Sequence, residues 1–432
     1  MRAVDIIVAK RDGQSLTTEQ IDFLVDGFTR GTVGDEQMAA WAMAVVLRGM
    51  DHRETADLTL AMARSGETLD LHDIAPVTVD KHSTGGIGDK TSLVLGPMLA
   101  AAGMVVAKMS GRGLGFSGGT IDKLESIPGF RAELSGDEFR DAVRQNRLVI
   151  AAQSADLAPA DKRLYALRDI TGTVESLPLI AASIMSKKLA AGADCIVLDV
   201  KCGAGAFMQT IDEARRLAET MVAIGTHAGR KVVAAITTME QPLGMAIGNA
   251  LEVREACDVL RGGGPADVAA LCCALGGELA ALAGVVPDVA AGKELMGAVL
   301  RDGLAWRSFL QFVRNQGGDA SALEGDGLAH APTVVTLVAQ RGGVVAALDG
   351  AVLGLAVNAL GGGRERKGDT IDPAVGLVLA RKVGDAVAAG EPLLFVHASS
   401  PERAAEVLPQ LAAAFTIGDA GTAPPLIYEM VR

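Results

Sequence analysis

Two glycine-rich stretches, Lys81-His82-Ser83-Thr84-Gly85-Gly86-Ile87-Gly88-Asp89-Lys90-Thr91-Ser92 and Lys108-Met109-Ser110-Gly111-Arg112-Gly113-Leu114-Gly115-Phe116-Ser117-Gly118-Gly119-Thr120, lie about one strand–helix–strand step apart. Short apolar runs precede them, at residues 77–79 and 104–106. Each stretch carries hydroxyls and a basic residue among its glycines. Glycine lets main-chain N–H groups approach an anion closely, Ser and Thr add neutral donors, and Lys supplies the opposite charge. This is the chemistry of an oxyanion cradle, with phosphate the expected anion. His82 stands beside it, placed to exchange a proton with whatever reacts there.

Around these loops, short β-branched runs alternate with helical stretches, at residues 77–79, 104–106, 195–200 and 231–236. That alternation predicts an α/β fold with a mostly parallel sheet and helices on its faces. Residues 1–66 read as helices. Thr17 with Gln20 and Asp51 with Glu54 have capping-box spacing ahead of apolar runs, and neither Pro nor Gly interrupts 35–48 or 52–64. Residues 160–192 form a further helical piece with no clear strand. After Pro332 the pattern shifts to Val-rich runs punctuated by glycine, at 333–339 and 343–348, with another apolar run at 393–396. This predicts a separate C-terminal α+β unit. Residues 382–392 imitate the turn of lipoyl and biotinyl carriers without a modifiable Lys at a hairpin tip, so a structural hairpin is expected there.

The chain has 432 residues, enough for two or three domains. Aromatic residues are 3% against 49% hydrophobic, so the core must be built from Ala, Val, Leu and Ile. The net charge of −12, with no long Lys/Arg stripe, opposes nucleic acid as a partner and favours a small, locally held anion. Five cysteines, an odd number without CxxC or zinc spacing, suit a reducing cytoplasm. The N-terminal apolar run is too short for a signal peptide, and the stretch 269–286 contains Glu278 and paired glycines, so it reads as a buried helix pair and no membrane span is expected.

Two local motifs mislead. A Walker A loop needs contiguous Gly-Lys-Ser/Thr, but Asp89 separates Gly88 from Lys90-Thr91. Gly113-x-Gly115-x-x-Gly118 matches the dinucleotide fingerprint, yet Pro128 arrives too early for a crossover helix.

The loops, together with Gly118-Gly119-Thr120-Ile121-Asp122-Lys123-Leu124-Glu125, Tyr165-Ala166-Leu167-Arg168-Asp169 and Ser183-Ile184-Met185-Ser186-Lys187-Lys188, strongly resemble the nucleoside phosphorylase family that includes thymidine phosphorylase and bacterial pyrimidine-nucleoside phosphorylase. The resemblance implies a discontinuous helical domain, 1–70 with 160–192, which binds the base and forms a homodimer contact. It implies an α/β phosphate domain at 71–159 and 193–332, a C-terminal domain at 333–432, and closure of the cleft between the first two.

By the same resemblance, Lys81, Ser83, Ser92, Ser110 and Thr120 are expected to hold inorganic phosphate as co-substrate. His82, Tyr165, Arg168, Ser183 and Lys187 are expected to hold the pyrimidine nucleoside, with His82, Arg168 and Lys187 catalytic. No organic cofactor is expected. The implied reaction is reversible phosphorolysis of uridine, thymidine or deoxyuridine to free base and α-D-(deoxy)ribose 1-phosphate. The alternatives are a thymidine phosphorylase restricted to 2′-deoxynucleosides and, more remotely, a related phosphoribosyl transferase, for which no magnesium-holding acidic pair is evident.

Lys108 stands where pyrimidine-nucleoside phosphorylases carry Lys and bacterial thymidine phosphorylases tend to carry Met, which implies a contact to phosphate or the ribose 2′-hydroxyl. Gly88, Leu243, Ala246 and Glu255 match a structural potassium site. Asp199 and Lys201 are expected to support the hinge or phosphate face, while Lys188 is expected to point elsewhere on its helix. The chain departs from the family pattern at two places. Phe116-Ser117 replaces the usual His-Thr, and Lys90 replaces the usual Thr, so that an ammonium stands where the potassium-binding branch has a hydroxyl.

Overall fold

The computed structural model describes residues 1–113, 118–152, 157–364, 366 and 369–432. Four helices open the chain: α1 (Ala3–Arg11), α2 (Thr18–Arg30), α3 (Asp35–Arg48) and α4 (His52–Ala63). Thr17 and Asp51 cap α2 and α4 in reciprocal capping boxes with Gln20 and Glu54. Two backbone N–H groups that would otherwise lack partners are satisfied at each of these starts.

The α/β body follows as β1 (Thr78–Ser83), α5 (Thr91–Ala101), β2 (Val105–Ser110), α6 (Thr120–Glu125), α7 (Gly136–Asn146) and β3 (Leu148–Ala152). The chain then runs through α8 (Pro159–Thr171) and α9 (Leu177–Ala190) before β4 (Cys195–Cys202), α10 (Ile211–His227) and β5 (Lys231–Thr238). Strand β3 is not among the expected strands. Ala160, Leu164 and Leu167 of α8 and Leu179 and Ala182 of α9 share a core with α1–α4. Ala181 and Met185, on another face of α9, pack instead with Ile196, Leu198 and Val200 of β4. One helix therefore belongs to both cores.

Five strands of the six-stranded central sheet run in the order β3, β2, β1, β4, β5, all parallel. Successive strands step outward from β1 to β3, then the chain returns to the other side of β1 with β4. The switch of direction opens a crevice between the carboxyl ends of β1 and β4, where open α/β sheets bind their ligands.

Beyond β5 come β6 (Ala246–Ile247), α11 (Asn249–Leu260), α12 (Ala266–Leu282), α13 (Val289–Arg301), α14 (Leu304–Asn315) and α15 (Ser321–Glu324). The stretch read as a helix pair is largely the single helix α12, and its paired glycines serve close packing. A Cβ at Gly277 would lie 2.8 Å from Lys293 Cγ, and one at Gly292 would lie 2.5 Å from Gly277 O. Helices α12 and α13 cross at those glycines. Among the described residues no helix is long and apolar enough to cross a membrane.

The C-terminal region contains β7 (Thr333–Val338), β8 (Gly343–Leu348), α16 (Gly350–Ala359), β9 (Gly376–Leu379), β10 (Ala386–Val387), β11 (Pro392–Ala398), α17 (Pro401–Ala413), β12 (Phe415–Gly418) and β13 (Ile427–Val431). Its strands form two small antiparallel sheets around a separate core. Two strands cross the expected boundary at 333. Strand β6 joins the C-terminal sheet through β9, and β13 returns to pair antiparallel with β5 at the edge of the central sheet.

Candidate active site

Lys81 and Ser83 end β1, Ser110 ends β2, Ser92 lies in the first turn of α5 and Thr120 begins α6. The fold thus gathers all five at the carboxyl end of adjacent parallel strands. Register pairs Ser83 with Asp199 of β4 across the switch crevice. Lys81 Nζ lies 3.2 Å from Asp199 Oδ2 and 3.7 Å from Asp89 Oδ2, while Lys201 Nζ lies 2.8 Å from the same Asp199 oxygen. The Thr237 hydroxyl donates to Asp199 Oδ1 at 2.6 Å.

Burial alone would lower the Lys81 pKa, but Asp89 and Asp199 outweigh it and hold it above its ordinary value. Burial likewise works against the Asp89 carboxylate, yet Lys81, Lys201 and Lys123 keep its pKa well below the usual range. Asp89 is the residue that breaks the Walker register; it also accepts from the Thr91 backbone N–H and hydroxyl at the start of α5.

The second loop closes tightly. A Cβ on Gly119 would lie 2.1 Å from the Gly113 backbone nitrogen, and Asp122 accepts that N–H at 2.6 Å. Arg364 from the C-terminal region pairs with Asp122 at 2.8 Å. Phe116 and Ser117 lie outside the described residues.

Behind the cradle is a buried charge cluster that the sequence did not reveal. Asp80, fully buried on β1, pairs with Lys188 at 2.7 Å and lies 3.8 Å from Lys108 Nζ. The Lys108 ammonium donates to the Lys81 carbonyl at 2.5 Å, so it is turned onto the β1 backbone. Burial, then repulsion from Lys188, brings the Lys108 pKa down to about 7. Burial, followed by the charges of Lys188, Lys108, Lys81 and Lys187, pushes the His82 pKa well below its ordinary value. The imidazole is therefore neutral at pH 7. Lys188 points away from Lys187, as expected, and links α9 to β1; it also donates to the Met109 carbonyl at 3.2 Å.

On the helical side, Lys187 Nζ donates to the Ser183 carbonyl at 2.8 Å, to the Ser183 hydroxyl at 3.0 Å, and to the Asp161 carboxylate. An ammonium has three hydrogens, so these acceptors match its capacity. Asp161 is a partner that the sequence reading missed. Its signal was position, since it lies two helical turns before Arg168 and on the same side of α8.

Arg168 is 1% exposed and donates to the carbonyls of Thr173 at 3.1 Å, Leu179 at 3.1 Å and Val174 at 2.5 Å. It locks the turn between α8 and α9, using three of the five donors of its fork. Burial lowers its pKa, opposed by Asp161 and Tyr165. Tyr165, one turn earlier, is 38% exposed.

The potassium set gathers as expected, but around a side chain. Lys90 Nζ donates to the Leu243 carbonyl at 2.7 Å, the Ala246 carbonyl at 3.0 Å and Glu255 Oε1 at 2.5 Å. The Lys90 backbone N–H donates to the Gly88 carbonyl at 2.9 Å. Every residue named for the ion is already engaged by Lys90, so the donor set does not fit potassium here.

Comparison with known proteins agrees with this architecture. Residues 4–66 match the helical bundle domain of a glycosyl transferase family, 75–306 its a/b domain, and 344–418 the pyrimidine nucleoside phosphorylase C-terminal domain. The anthranilate phosphoribosyltransferase of Thermus thermophilus shares the fold, with a TM-score of 0.60 at 20% identity over 72% of this chain and 99% of that one. The pyrimidine-nucleoside phosphorylases of Geobacillus stearothermophilus and Bacillus subtilis are 51% and 50% identical to this chain, each over 100% of both sequences. A single end-to-end match at half identity, over all three domains, means that the chain belongs to the pyrimidine-nucleoside phosphorylase family.

Proposed function

We propose that the protein catalyses reversible phosphorolysis of pyrimidine nucleosides, uridine, thymidine and deoxyuridine, to the free base and α-D-(deoxy)ribose 1-phosphate. The observation that carries this reading is the position of α9. Its Lys187 and Ser183 lie with Asp161 in the helical unit, and its Lys188 is fixed to β1 beside the cradle. This supports a reading in which a base-binding set on α8 and α9 and an anion-binding set on the loops after β1 and β2 serve one site.

Phosphate held by Lys81, Ser83, Ser92, Ser110 and Thr120 attacks C1′ as the C–N bond breaks, through a transition state with oxocarbenium character. The leaving pyrimidine gathers negative charge. Lys187 and Arg168 offset that charge, and neutral His82 donates an N–H to the ring oxygen or nitrogen that carries it. Ser183 and Tyr165 fix the base in plane. Binding requires Lys187 to exchange one of its present acceptors for the base, and closure of the cleft between the helical and α/β domains assembles the site around it. Lys108, on exchanging the Lys81 carbonyl for substrate, contacts phosphate or the 2′-hydroxyl.

The reading includes a homodimer. The exposed apolar residues Val4 and Val8 of α1 and Met43, Val46 and Leu47 of α3 support a contact through the helical unit. It also places the reaction in the cytoplasm, in keeping with five free cysteines. The test is incubation with phosphate and uridine, thymidine or deoxyuridine, following release of free base. No release from any of them defeats the proposal, while release from deoxynucleosides alone narrows it to thymidine phosphorylase.

A further inference from the structure

Lys90 is 0% exposed, and its ammonium spends its three hydrogens on Leu243 O, Ala246 O and Glu255 Oε1. The carboxylate is equally saturated, since Glu255 Oε2 accepts from the backbone N–H groups of Met245 at 2.9 Å and Ala246 at 3.0 Å. The turn 243–246 thus gives two carbonyls to the lysine and two amides to the glutamate, and the pair is electrically neutral. Gly244 closes the turn against them. A Cβ there would stand 2.1 Å from Glu255 Oε1 and 2.8 Å from Lys90 Nζ. A second buried cation would share one carboxylate with the ammonium and find the same oxygens already taken.

We propose that Lys90 is a built-in cation, which does in this chain what a bound alkali-metal ion would do at this position, and that the protein needs no potassium. The role is one of positioning. Lys90 ends the first anion loop, while the turn it grips leads into β6, which pairs with β9 of the C-terminal sheet. Holding that turn fixes the cradle to the joint between the two units. A parallel clasp, Lys123 Nζ to Glu252 at 2.7 Å, ties α6 behind the second loop to the same helix α11. Both anion loops are therefore anchored on α11 by lysines.

The test is thermal unfolding of the full chain, without phosphate, in potassium, sodium or tetramethylammonium chloride at equal ionic strength. The wild-type midpoint is expected to differ by less than about 1 °C among the three salts. A saturable rise specific to potassium overturns the proposal. Lys90→Thr restores a hydroxyl among the same oxygens. In tetramethylammonium chloride it is expected to melt about 5 °C or more lower, and potassium is expected to restore much of that loss. A folded Lys90→Thr that potassium does not stabilise overturns the assignment of this position as a cation seat. Lys90→Met, whose side chain fills the position, is expected to be destabilised without rescue. Should Lys90→Thr fail to fold, the wild-type comparison decides alone. Base release in the same salts adds a second readout that rests on the proposed phosphorolysis, with equal rates expected. Failure of that reaction leaves the unfolding result intact, so the two readings fail separately.

Discussion

Lys187 and Lys188 are neighbours on α9 and answer to different carboxylates, Lys187 to Asp161 on α8 and Lys188 to Asp80 on β1. Adjacent positions on a helix point about a quarter-turn apart. A pair of lysines here spans the seam between the helical unit and the α/β body.

The two substitutions are therefore expected to separate. Lys187→Met removes charge from the base side, and kcat is expected to fall about 100-fold or more with little change in KM for phosphate. Lys188→Met leaves buried Asp80 with Lys108, 3.8 Å away, as its one ion partner among the described residues, and is expected to cost about 3–5 kcal/mol of stability. Steady-state kinetics with phosphate varied, alongside denaturant unfolding, check both. Equal stability loss in the two variants contradicts the division of labour.

Lys108 supplies a pH prediction. Its folded pKa of about 7 lies below the ordinary lysine value of 10.5. Between those values the unfolded chain binds one more proton than the native state, so this residue makes stability rise with pH through that window. Charge at the cradle moves the opposite way, because the ammonium is lost as pH passes 7, and affinity for phosphate is expected to weaken. Lys108→Met should remove that alkaline limb. Lys188→Met, by deleting the repulsion that depresses Lys108, should shift the limb upward. His82 titrates well below its ordinary range and is expected to contribute no inflection near 6.5.

Asp161→Asn tests the partner that was hidden in sequence. The change keeps an acceptor of the same shape but removes the charge facing Lys187, whose other two acceptors belong to Ser183. The pair is only partly buried, so the expected stability loss is about 1–2 kcal/mol. Activity is expected to fall mainly through kcat, and a change confined to KM for phosphate contradicts the assignment.

Much of the fold was legible because its signals are local. Capping boxes at Thr17 and Asp51 marked two helices, and β-branched runs marked β1, β2, β4 and β5. Glycines marked the anion loops. What stayed hidden was long-range. The apolar run Leu148–Ala152 carries no periodicity that separates a short buried strand from a helix. Nothing near Lys108, Lys188 or Lys90 in sequence announces Lys81 O, Asp80 or Glu255 as its partner. Resemblance located the set around Glu255, but only the folded arrangement shows the ammonium inside it.

The last strand was the least legible element, and it reaches the site. Ile427 of β13 pairs with Thr237 of β5, whose hydroxyl holds Asp199, which in turn faces Lys81 and Lys201. Beyond the ladder, Arg432 pairs with Glu278 at 2.8 Å and Glu429 with Arg215 at 2.9 Å, while Ile427 and Met430 pack on the main core. Deleting residues 427–432 exposes the β5 edge, and the protein is expected to lose solubility and thermal stability together. Thr237→Val isolates the electrostatic part without uncovering that edge. It leaves a buried Asp199 oxygen without its hydroxyl donor, at an expected cost of about 1–3 kcal/mol. Lys81 then has a less firmly held partner, so KM for phosphate is expected to rise several-fold while the pyrimidine KM stays near wild type. Unchanged phosphate kinetics in a stably folded Thr237→Val would break the chain of contacts from the C-terminal strand to the cradle.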